Sequence, residues 1–314
     1  MEEKKKSSGL WFFIIFIFVL MIGYGNETQN GDSKATITTT EMSLHDGRTI
    51  GIDSAYASYD DMVELFTNGI YDDTATVFHR GEYTETINIS DINGKVDFAI
   101  IRIACTNPNT AEFSISGFDI TEQQVKACED LGVPYGFYLY SASINENEAV
   151  EEANFTKDVL QRLESSLGKL KNNKLAFIID VEINGAGDRQ YPYDVTEAKV
   201  KLVKELQKEV GNNIVIYAPA GILIRDMNSN PDKILELNTL QEKTGINKLW
   251  LPVPKEEQFD SQAGGASVEY LECLIEQYPS WEIIGKQEGQ NLKVSNSNTI
   301  IDVNTTDNIK KWYK

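Results

Sequence analysis

The stretch Leu175-Ala176-Phe177-Ile178-Ile179-Asp180-Val181-Glu182 is the most informative part of the chain for predicting its fold. Its first five residues are apolar, and such a run is typical of a strand that is buried on both faces of a sheet. Strand side chains alternate between the two faces, so Asp180 and Glu182 are expected to point the same way. Two like charges at the end of a buried strand repel each other, and their pKa values separate, which suits acid/base chemistry. The alternative is a strand that simply runs into solvent at Asp180.

Seven further apolar runs resemble this strand and predict, with it, eight strands. The predicted strands are 49–53, 97–103, 135–140, 175–182, 214–218, 249–253, 282–287 and 299–303. Helical patterns with one apolar face lie between the early strands, at 121–131, 146–167 and 195–210. This alternation indicates βαβ units and a parallel sheet, and eight such strands suit a closed barrel. We therefore predict an α/β fold, a TIM-like barrel that becomes irregular in its second half. The stretch 55–89, rich in aromatic and acidic residues, is expected to add a helix and a β excursion over one end of the barrel.

The N-terminus is typical of an export segment. Lys4-Lys5-Lys6 is followed by an uncharged apolar run at 10–22, which as a helix would span roughly 20 Å, short of the ~30 Å hydrocarbon core. We predict a signal peptide over 1–25, a polar linker over 26–48 and the barrel domain over 49–314. An uncleaved membrane anchor through residues 9–24 is the alternative. Both predict a protein that acts outside a bacterial cell or at its surface.

Composition excludes several classes of function. The formal net charge of −19 over 314 residues argues against nucleic acid as a partner and against docking on anionic lipid. The three cysteines are far apart and fit neither a disulfide framework nor zinc spacing. With only two histidines, a His-rich metal site is not expected. We expect no cofactor, no metal and a monomer, and a divalent ion held by carboxylates is the alternative.

Acidic residues stand at the ends of three predicted strands. Asp53 ends the first strand, Asp180 and Glu182 end the fourth, and Asp302 lies at the end of the last. In an α/β barrel the C-terminal ends of the strands form the working face, and closure makes the first and last strands neighbours. We therefore expect these four carboxyl groups to converge on one pocket. A strand-end Asp is often only a turn residue or a helix cap, so surface charge is the alternative.

Five short motifs occur along the chain in a characteristic order. They are Gly51-Ile52-Asp53, Phe98-Ala99-Ile100-Ile101-Arg102, Leu131-Gly132-Val133-Pro134-Tyr135-Gly136-Phe137-Tyr138, Asp180-Val181-Glu182 and Asp302-Val303-Asn304. This order resembles that of glycoside hydrolase family 25, the Chalaropsis-type lysozymes or N-acetylmuramidases. Ile216-Tyr217 and Leu249-Trp250 also resemble the fifth and sixth strands of that family. The resemblance covers roughly residues 49 to 310.

This resemblance implies a barrel of five β/α steps and three further strands, (β/α)5(β)3. It implies hydrolysis of the β-1,4 bond between N-acetylmuramic acid and N-acetylglucosamine, with peptidoglycan glycan strands as the partner. By position, Glu182 resembles the general acid of the family and Asp180 the residue that stabilises positive charge on the reacting sugar. Asp53 and Asp302 resemble its flanking substrate-binding acids, and Tyr138 and Tyr217 are also expected to bind substrate.

The chain departs from the family pattern at four places. Ser54-Ala55-Tyr56 follows the first Asp, where the family has Val-Ser and then Gln-Gly, and the insertion 55–89 has no counterpart. Tyr138-Leu139-Tyr140 stands where a His usually lies, and Lys286-Gln287-Glu288 replaces Trp-Gln-Tyr. These losses affect positions that would stack on sugars. The alternative to an active enzyme is therefore an inactive barrel that binds cell-wall glycan.

Overall fold

The computed structural model describes residues 48–79, 82–107, 110–114, 118–181, 194–223, 235–253, 268–295 and 299–314. The strands in these ranges are β1 (Thr49–Asp53), β2 (Thr74–His79), β3 (Glu82–Asn88), β4 (Val96–Thr106), β5 (Phe113–Ser114), β6 (Tyr135–Tyr140), β7 (Asn173–Asp180), β8 (Ile214–Tyr217), β9 (Lys248–Pro252), β10 (Glu282–Lys293) and β11 (Ile301–Thr306).

Helices separate most of these strands. They are α1 (Tyr59–Asn68), α2 (Phe118–Leu131), α3 (Glu146–Leu167), α4 (Thr196–Val210), α5 (Ala220–Leu223), α6 (Leu237–Thr244) and α7 (Val268–Gln277), followed by a final 3₁₀ helix, Ile309–Trp312. Local capping fixes where two of them begin. At α1, the Ser58 hydroxyl accepts a hydrogen bond from the Asp61 N–H, and the Asp61 carboxylate accepts one from the Ser58 N–H. At α3, the Asn145 side chain caps the helix by accepting from the Glu148 N–H.

Eight strands close into the predicted α/β barrel. Their order is β11-β1-β4-β6-β7-β8-β9-β10, and β10 pairs with β11 to complete the ring. The neighbours from β1 through β4 and β6 to β10 run parallel. The last six residues of β7 are buried, as expected for a strand with packed layers on both faces.

The last barrel strand runs opposite to the predicted direction. β11 pairs antiparallel with both β1 and β10, so Asp302 lies near the start of β11 and not at its end. The link from β10 is only residues 294–300, whereas a parallel connection needs about a dozen residues or more. The reversal still places Asp302 directly opposite Asp53 in the β1–β11 register, because the start of an antiparallel strand meets the end of its neighbour.

The interior of the barrel is apolar at the N-terminal ends of the strands. Trp312, from the final 3₁₀ helix, is fully buried there, and its indole N–H donates to the Ile284 carbonyl at 2.9 Å. Its ring centroid lies 5.8 Å from that of Phe98 and 5.9 Å from that of Trp250. The chain end also pairs with the start of β7 through Leu175 and Tyr313. The C-terminal segment therefore closes one end of the barrel.

The insertion after β1 supplies helix α1 and the hairpin β2–β3. The hairpin joins the barrel sheet through β10, where Val77 pairs with Leu292 and Thr76 with Lys293. A helix and a β excursion were predicted for this stretch. The predicted start of α2 at Thr121 is wrong, because the helix begins three residues earlier and the Thr121 hydroxyl instead donates to the Arg102 carbonyl at 2.9 Å.

Two predicted features fall outside the described residues. The predicted export segment and most of the linker lie in residues 1–47, and Glu182 lies in 182–193. Within the described ranges, no helix has both the length and the apolar character needed to cross a bilayer.

Candidate active site

A pocket of about 320 Å³ opens at the C-terminal ends of the parallel strands. This is the face of an α/β barrel where active sites form. Its lining combines acids, amides, hydroxyls and aromatic rings, from Asp53, Arg102, Tyr138, Tyr140, Asp180, Tyr217, Trp250, Gln287, Gln290, Asn291 and Asp302.

Three of the four predicted acids line this one pocket. Asp53 ends β1 and Asp180 ends β7, and they are only 6% and 7% exposed. Asp302 is half-buried at the start of β11. The structure thus brings together carboxyl groups from separate parts of the barrel wall, while Glu182 lies outside the described residues.

Gln287 joins two of the acids. Its Nε2 donates to Oδ2 of Asp53 and to Oδ2 of Asp302, at 3.1 Å in each case. Asn304 Nδ2 donates to the same Asp53 oxygen at 2.8 Å. The Gln287 and Asn304 amides are neutral, so they hold the β1 and β11 carboxyl groups in place without cancelling their negative charge.

The orientation of the Gln287 amide is itself fixed. Its Oε1 accepts hydrogen bonds from the Tyr217 hydroxyl at 2.7 Å and from Gln290 Nε2 at 2.8 Å. The Tyr217 ring packs against Trp250, with centroids 4.6 Å apart. With both acceptor positions of Oε1 used, the NH₂ group must face the acids.

Burial changes the acidity of Asp53. Desolvation raises the pKa of this carboxyl from 3.8 to about 6, although the hydrogen bonds from Asn304 and Gln287 and the positive charge of Arg102 oppose the rise. A carboxyl group with such a pKa exchanges a proton near neutral pH, which is the range in which acid/base catalysts work.

Tyr138 lies between the charged groups of the pocket. Burial raises the pKa of its hydroxyl well above 10; the positive charge of Arg102 opposes this, and the negative charges of Asp53, Asp180 and Asp302 reinforce it. Tyr138 therefore stays neutral and can both donate and accept a hydrogen bond. Arg102, on β4, also reaches the pocket lining.

The backbone around Asp180 is fixed from both neighbouring strands. The Ser141 N–H donates to the Asp180 carbonyl, and the Val181 N–H donates to the Tyr217 carbonyl, both at 2.8 Å. Asp180 pairs in register with Tyr140 on one side and with Tyr217 on the other. The three side chains consequently stand at one level of the pocket.

A buried polar network supports the loop that follows β6. Glu152 accepts hydrogen bonds from the Thr106 and Ser141 hydroxyls, both at 2.6 Å, and from the N–H groups of Ala142 and Ser143. Lys199 Nζ donates to the Ser141 hydroxyl at 2.6 Å and to the Ser143 hydroxyl at 3.0 Å. Both charged side chains are fully buried, so the serines link an acid and a base beneath this part of the rim.

Sequence reasoning placed Tyr138 and Tyr217 in the site, and both line the pocket, but it missed the two amides. Gln287 stands in Lys286-Gln287-Glu288, where family 25 has Trp-Gln-Tyr, so its retained Gln was a usable signal. Asn304 follows Asp302 by two residues and therefore shares its strand face. No pattern along the chain indicated Gln290 or Asn291, because they lie where β10 continues beyond its predicted end.

The sequence matches no protein-family model and no curated protein. The structure is similar to that of the Clostridium perfringens spore cortex lytic enzyme SleM, with a TM-score of 0.55 and 15% sequence identity over 86% of this chain and 71% of SleM. Weaker likenesses are to the modular autolysin LytC of Streptococcus pneumoniae (TM-score 0.44, 16% identity, 82% of this chain and 46% of LytC) and to GHIP, a glycosyl hydrolase 25 of the same organism (0.43, 15%, 82% and 86%). The likeness to SleM supports the barrel fold that the resemblance to glycoside hydrolase family 25 implies.

Proposed function

We propose that this chain is a glycoside hydrolase that cleaves the glycan strands of bacterial peptidoglycan. The observation that carries the proposal is the convergence of Asp53, Asp180 and Asp302 on one buried pocket at the catalytic face of the barrel. Glycosidases need paired carboxyl groups with different protonation states. The fold shared with SleM, a spore cortex lytic enzyme, also supports it.

The pocket lining favours a hydroxyl-rich ligand. Three carboxyl groups and Arg102 lie in the lining and can form hydrogen bonds with sugar hydroxyl groups. Tyrosine hydroxyls and amides supply donors and acceptors for sugar hydroxyl groups, and the rings of Tyr217 and Trp250 provide an apolar wall. This lining is of the kind that binds a sugar.

We assign the reaction to the β-1,4 bond between N-acetylmuramic acid and N-acetylglucosamine. Glu182, two residues beyond Asp180, is proposed to protonate the leaving oxygen as general acid. Asp180 is proposed to remain ionised and to stabilise positive charge on the reacting sugar, or to act as the nucleophile, the 2-acetamido group of the sugar being the alternative nucleophile. Asp53 and Asp302 would bind the substrate, with Tyr138 and Tyr217 beside them.

Peptidoglycan lies outside the cytoplasmic membrane, so this function requires the chain to act in the wall or at the cell surface. The proposed export segment or anchor over 1–25 would deliver it there. The direct test is to incubate the full-length chain with purified peptidoglycan and to identify new reducing sugars by mass spectrometry. New reducing N-acetylmuramic acid is expected, whereas new reducing N-acetylglucosamine would contradict the assigned bond.

A second candidate function is glycan binding without cleavage. The observation that favours it is Tyr138-Leu139-Tyr140 on β6, where the family has a His, with two of these tyrosines in the pocket lining. Retention on insoluble peptidoglycan without any release of reducing ends would support this candidate and exclude the hydrolase.

A further inference from the structure

Tyr56 is an exposed aromatic residue beside the pocket. It follows the end of β1 by three residues, and 59% of its surface is exposed. The exposed large hydrophobic side chains of the described ranges are Tyr56, Tyr71 and Ile275. Such an exposed ring is therefore uncommon in the described part of this structure. Tyr56 lies at the face of the barrel where the pocket opens.

The turn that carries Tyr56 is held by buried side chains. The Ser54 hydroxyl accepts hydrogen bonds from the N–H groups of Tyr56 at 3.2 Å and Ala57 at 3.1 Å, and it donates to the Ile300 carbonyl at 2.8 Å. Gln124, only 2% exposed, donates from Nε2 to the Ser54 carbonyl at 2.9 Å and to the Ala57 carbonyl at 3.0 Å. The backbone on both sides of an exposed ring is thus fixed in advance, which lowers the entropy cost of binding.

Tyr56 also contacts the pocket wall. The guanidinium carbon of Arg102, a pocket-lining residue, lies 5.8 Å from the centroid of the Tyr56 ring, a cation–π distance. Arg102 in turn acts on the Asp53 carboxyl through its charge. The ring is therefore at the edge of the acid pocket, on the side formed by β1 and β4.

The pocket volume requires a polymeric ligand to extend past it. About 320 Å³ is near the lower end of ligand pockets, so a glycan chain must cross the rim on its way out. Pyranose rings carry apolar C–H faces, and a tyrosine ring offers a rigid apolar face at low entropy cost.

We propose that Tyr56 is a stacking platform for a pyranose ring of the glycan, adjacent to the ring that occupies the acid pocket. This inference rests on the proposed function and adds a second sugar-binding position to it. The platform makes the chain prefer longer glycan chains over a single sugar. It also accounts for the β1 turn, which departs from the family pattern after Asp53.

The test compares Tyr56→Ala and Tyr56→Phe with Tyr71→Ala, whose parent residue is 67% exposed and is not among the pocket-lining residues. Binding of the single sugar N-acetylmuramic acid, and of uncross-linked chains of at least six sugars, is measured by isothermal titration calorimetry. Cleavage of the longer chains is followed by release of reducing ends. Thermal unfolding confirms that each variant is folded.

We expect Tyr56→Ala to weaken binding of the longer chains and to raise their KM by about tenfold, with binding of the single sugar unchanged. Tyr56→Phe keeps the ring and stays within about threefold of wild type, and Tyr71→Ala matches wild type. If wild type cleaves the chains and Tyr56→Ala binds them equally well, the platform is wrong and the proposed function stands. If wild type neither binds nor cleaves either ligand, both proposals fall.

Discussion

The Tyr217 hydroxyl donates a 2.7 Å hydrogen bond to Oε1 of Gln287, and this contact, together with the hydrogen bond from Gln290 Nε2, determines which way the Gln287 amide faces. With Oε1 occupied, the Nε2 group is directed at the carboxyl groups of Asp53 and Asp302. A tyrosine on β8 therefore controls the environment of two acids on β1 and β11. Tyr217 acts on them through an intermediate side chain and is, in this respect, a positioning residue.

Removing only that hydroxyl tests the relationship. Tyr217→Phe keeps the ring against Trp250 but removes one of the two hydrogen bonds that orient the amide, so we expect kcat/KM for peptidoglycan to fall about tenfold, the equivalent of one hydrogen bond of about 1.4 kcal/mol. The pH dependence of the rate should shift at the same time, because the Gln287 amide then donates less well to the carboxyl groups of Asp53 and Asp302. Tyr313→Phe, which alters a half-buried tyrosine at the closed end of the barrel, is the matched control and should leave both unchanged. A Tyr217→Phe variant with the wild-type pH profile would contradict this role.

The raised pKa of Asp53 predicts a pH-dependent stability. The pKa of Asp53 is about 6 in the folded chain against about 3.9 when unfolded. Burial of the ionised carboxylate therefore lowers the free energy of unfolding most above pH 6, and it has no such effect below both pKa values. Asp53→Asn removes the charge and keeps an acceptor oxygen. We expect the free energy of unfolding to rise by about 1–3 kcal/mol at pH 8 and by less than about 1 kcal/mol at pH 4, measured by urea denaturation.

Asp307→Asn is the control for this pH series, since Asp307 is exposed at the end of β11. Its effect on the free energy of unfolding should be small. A stability gain in Asp53→Asn that is as large at pH 4 as at pH 8 would mean that the charge of Asp53 is not what burial penalises.

The buried network of Glu152 and Lys199 predicts strong coupling between the two neighbouring helices that carry them. Glu152→Ala leaves the Ser141 and Thr106 hydroxyls and two backbone N–H groups without their acceptor, so we expect a loss of about 3–5 kcal/mol in the free energy of unfolding. Glu151→Ala, at the exposed neighbouring position, should cost less than about 0.5 kcal/mol. Combining Glu152→Ala with Lys199→Met should cost less than the sum of the two, and strict additivity would show that the serines do not couple them.

Close packing inside the barrel leaves no room for a side chain at Gly51. A Cβ atom at this position would stand 2.2 Å from the Phe98 ring, so Gly51→Ala should destabilise the chain by about 1–3 kcal/mol through overpacking. The double variant with Phe98→Leu should recover part of that loss, because the smaller side chain vacates the space. The free energy of unfolding from denaturant titration decides this, and the absence of any recovery would show that the ring is not the obstacle.

Much of the barrel could be predicted because its signals are local. The apolar run that ends at Asp180 and the helical period of residues 146–167 each specify an element without reference to the rest of the chain. Chain closure then brings the first and last strands together by geometry alone. The position of Asp302 near Asp53 could be predicted for this reason, even though the predicted direction of its strand was wrong.

The parts that could not be predicted depend on contacts between distant residues. Nothing near Gln287 in the chain shows that its amide will meet a tyrosine 70 positions earlier and Asp53, 234 positions earlier. The β2–β3 hairpin likewise pairs with β10 only because β10 continues to Lys293. No unbroken apolar pattern in the sequence indicates this continuation. Hydrogen-bond networks of polar side chains carry no periodicity that a sequence pattern could detect.

The proposed function depends most on Asp180 and Glu182 acting on a glycosidic bond. The decisive quantity is the rate of release of reducing sugar from purified peptidoglycan by the full-length chain and by its Asp180→Asn and Glu182→Gln variants. We predict that wild type releases reducing N-acetylmuramic acid and that each variant is at least about 100-fold slower, with thermal unfolding unchanged. Wild-type rates in both folded variants, or no release by wild type, would contradict it.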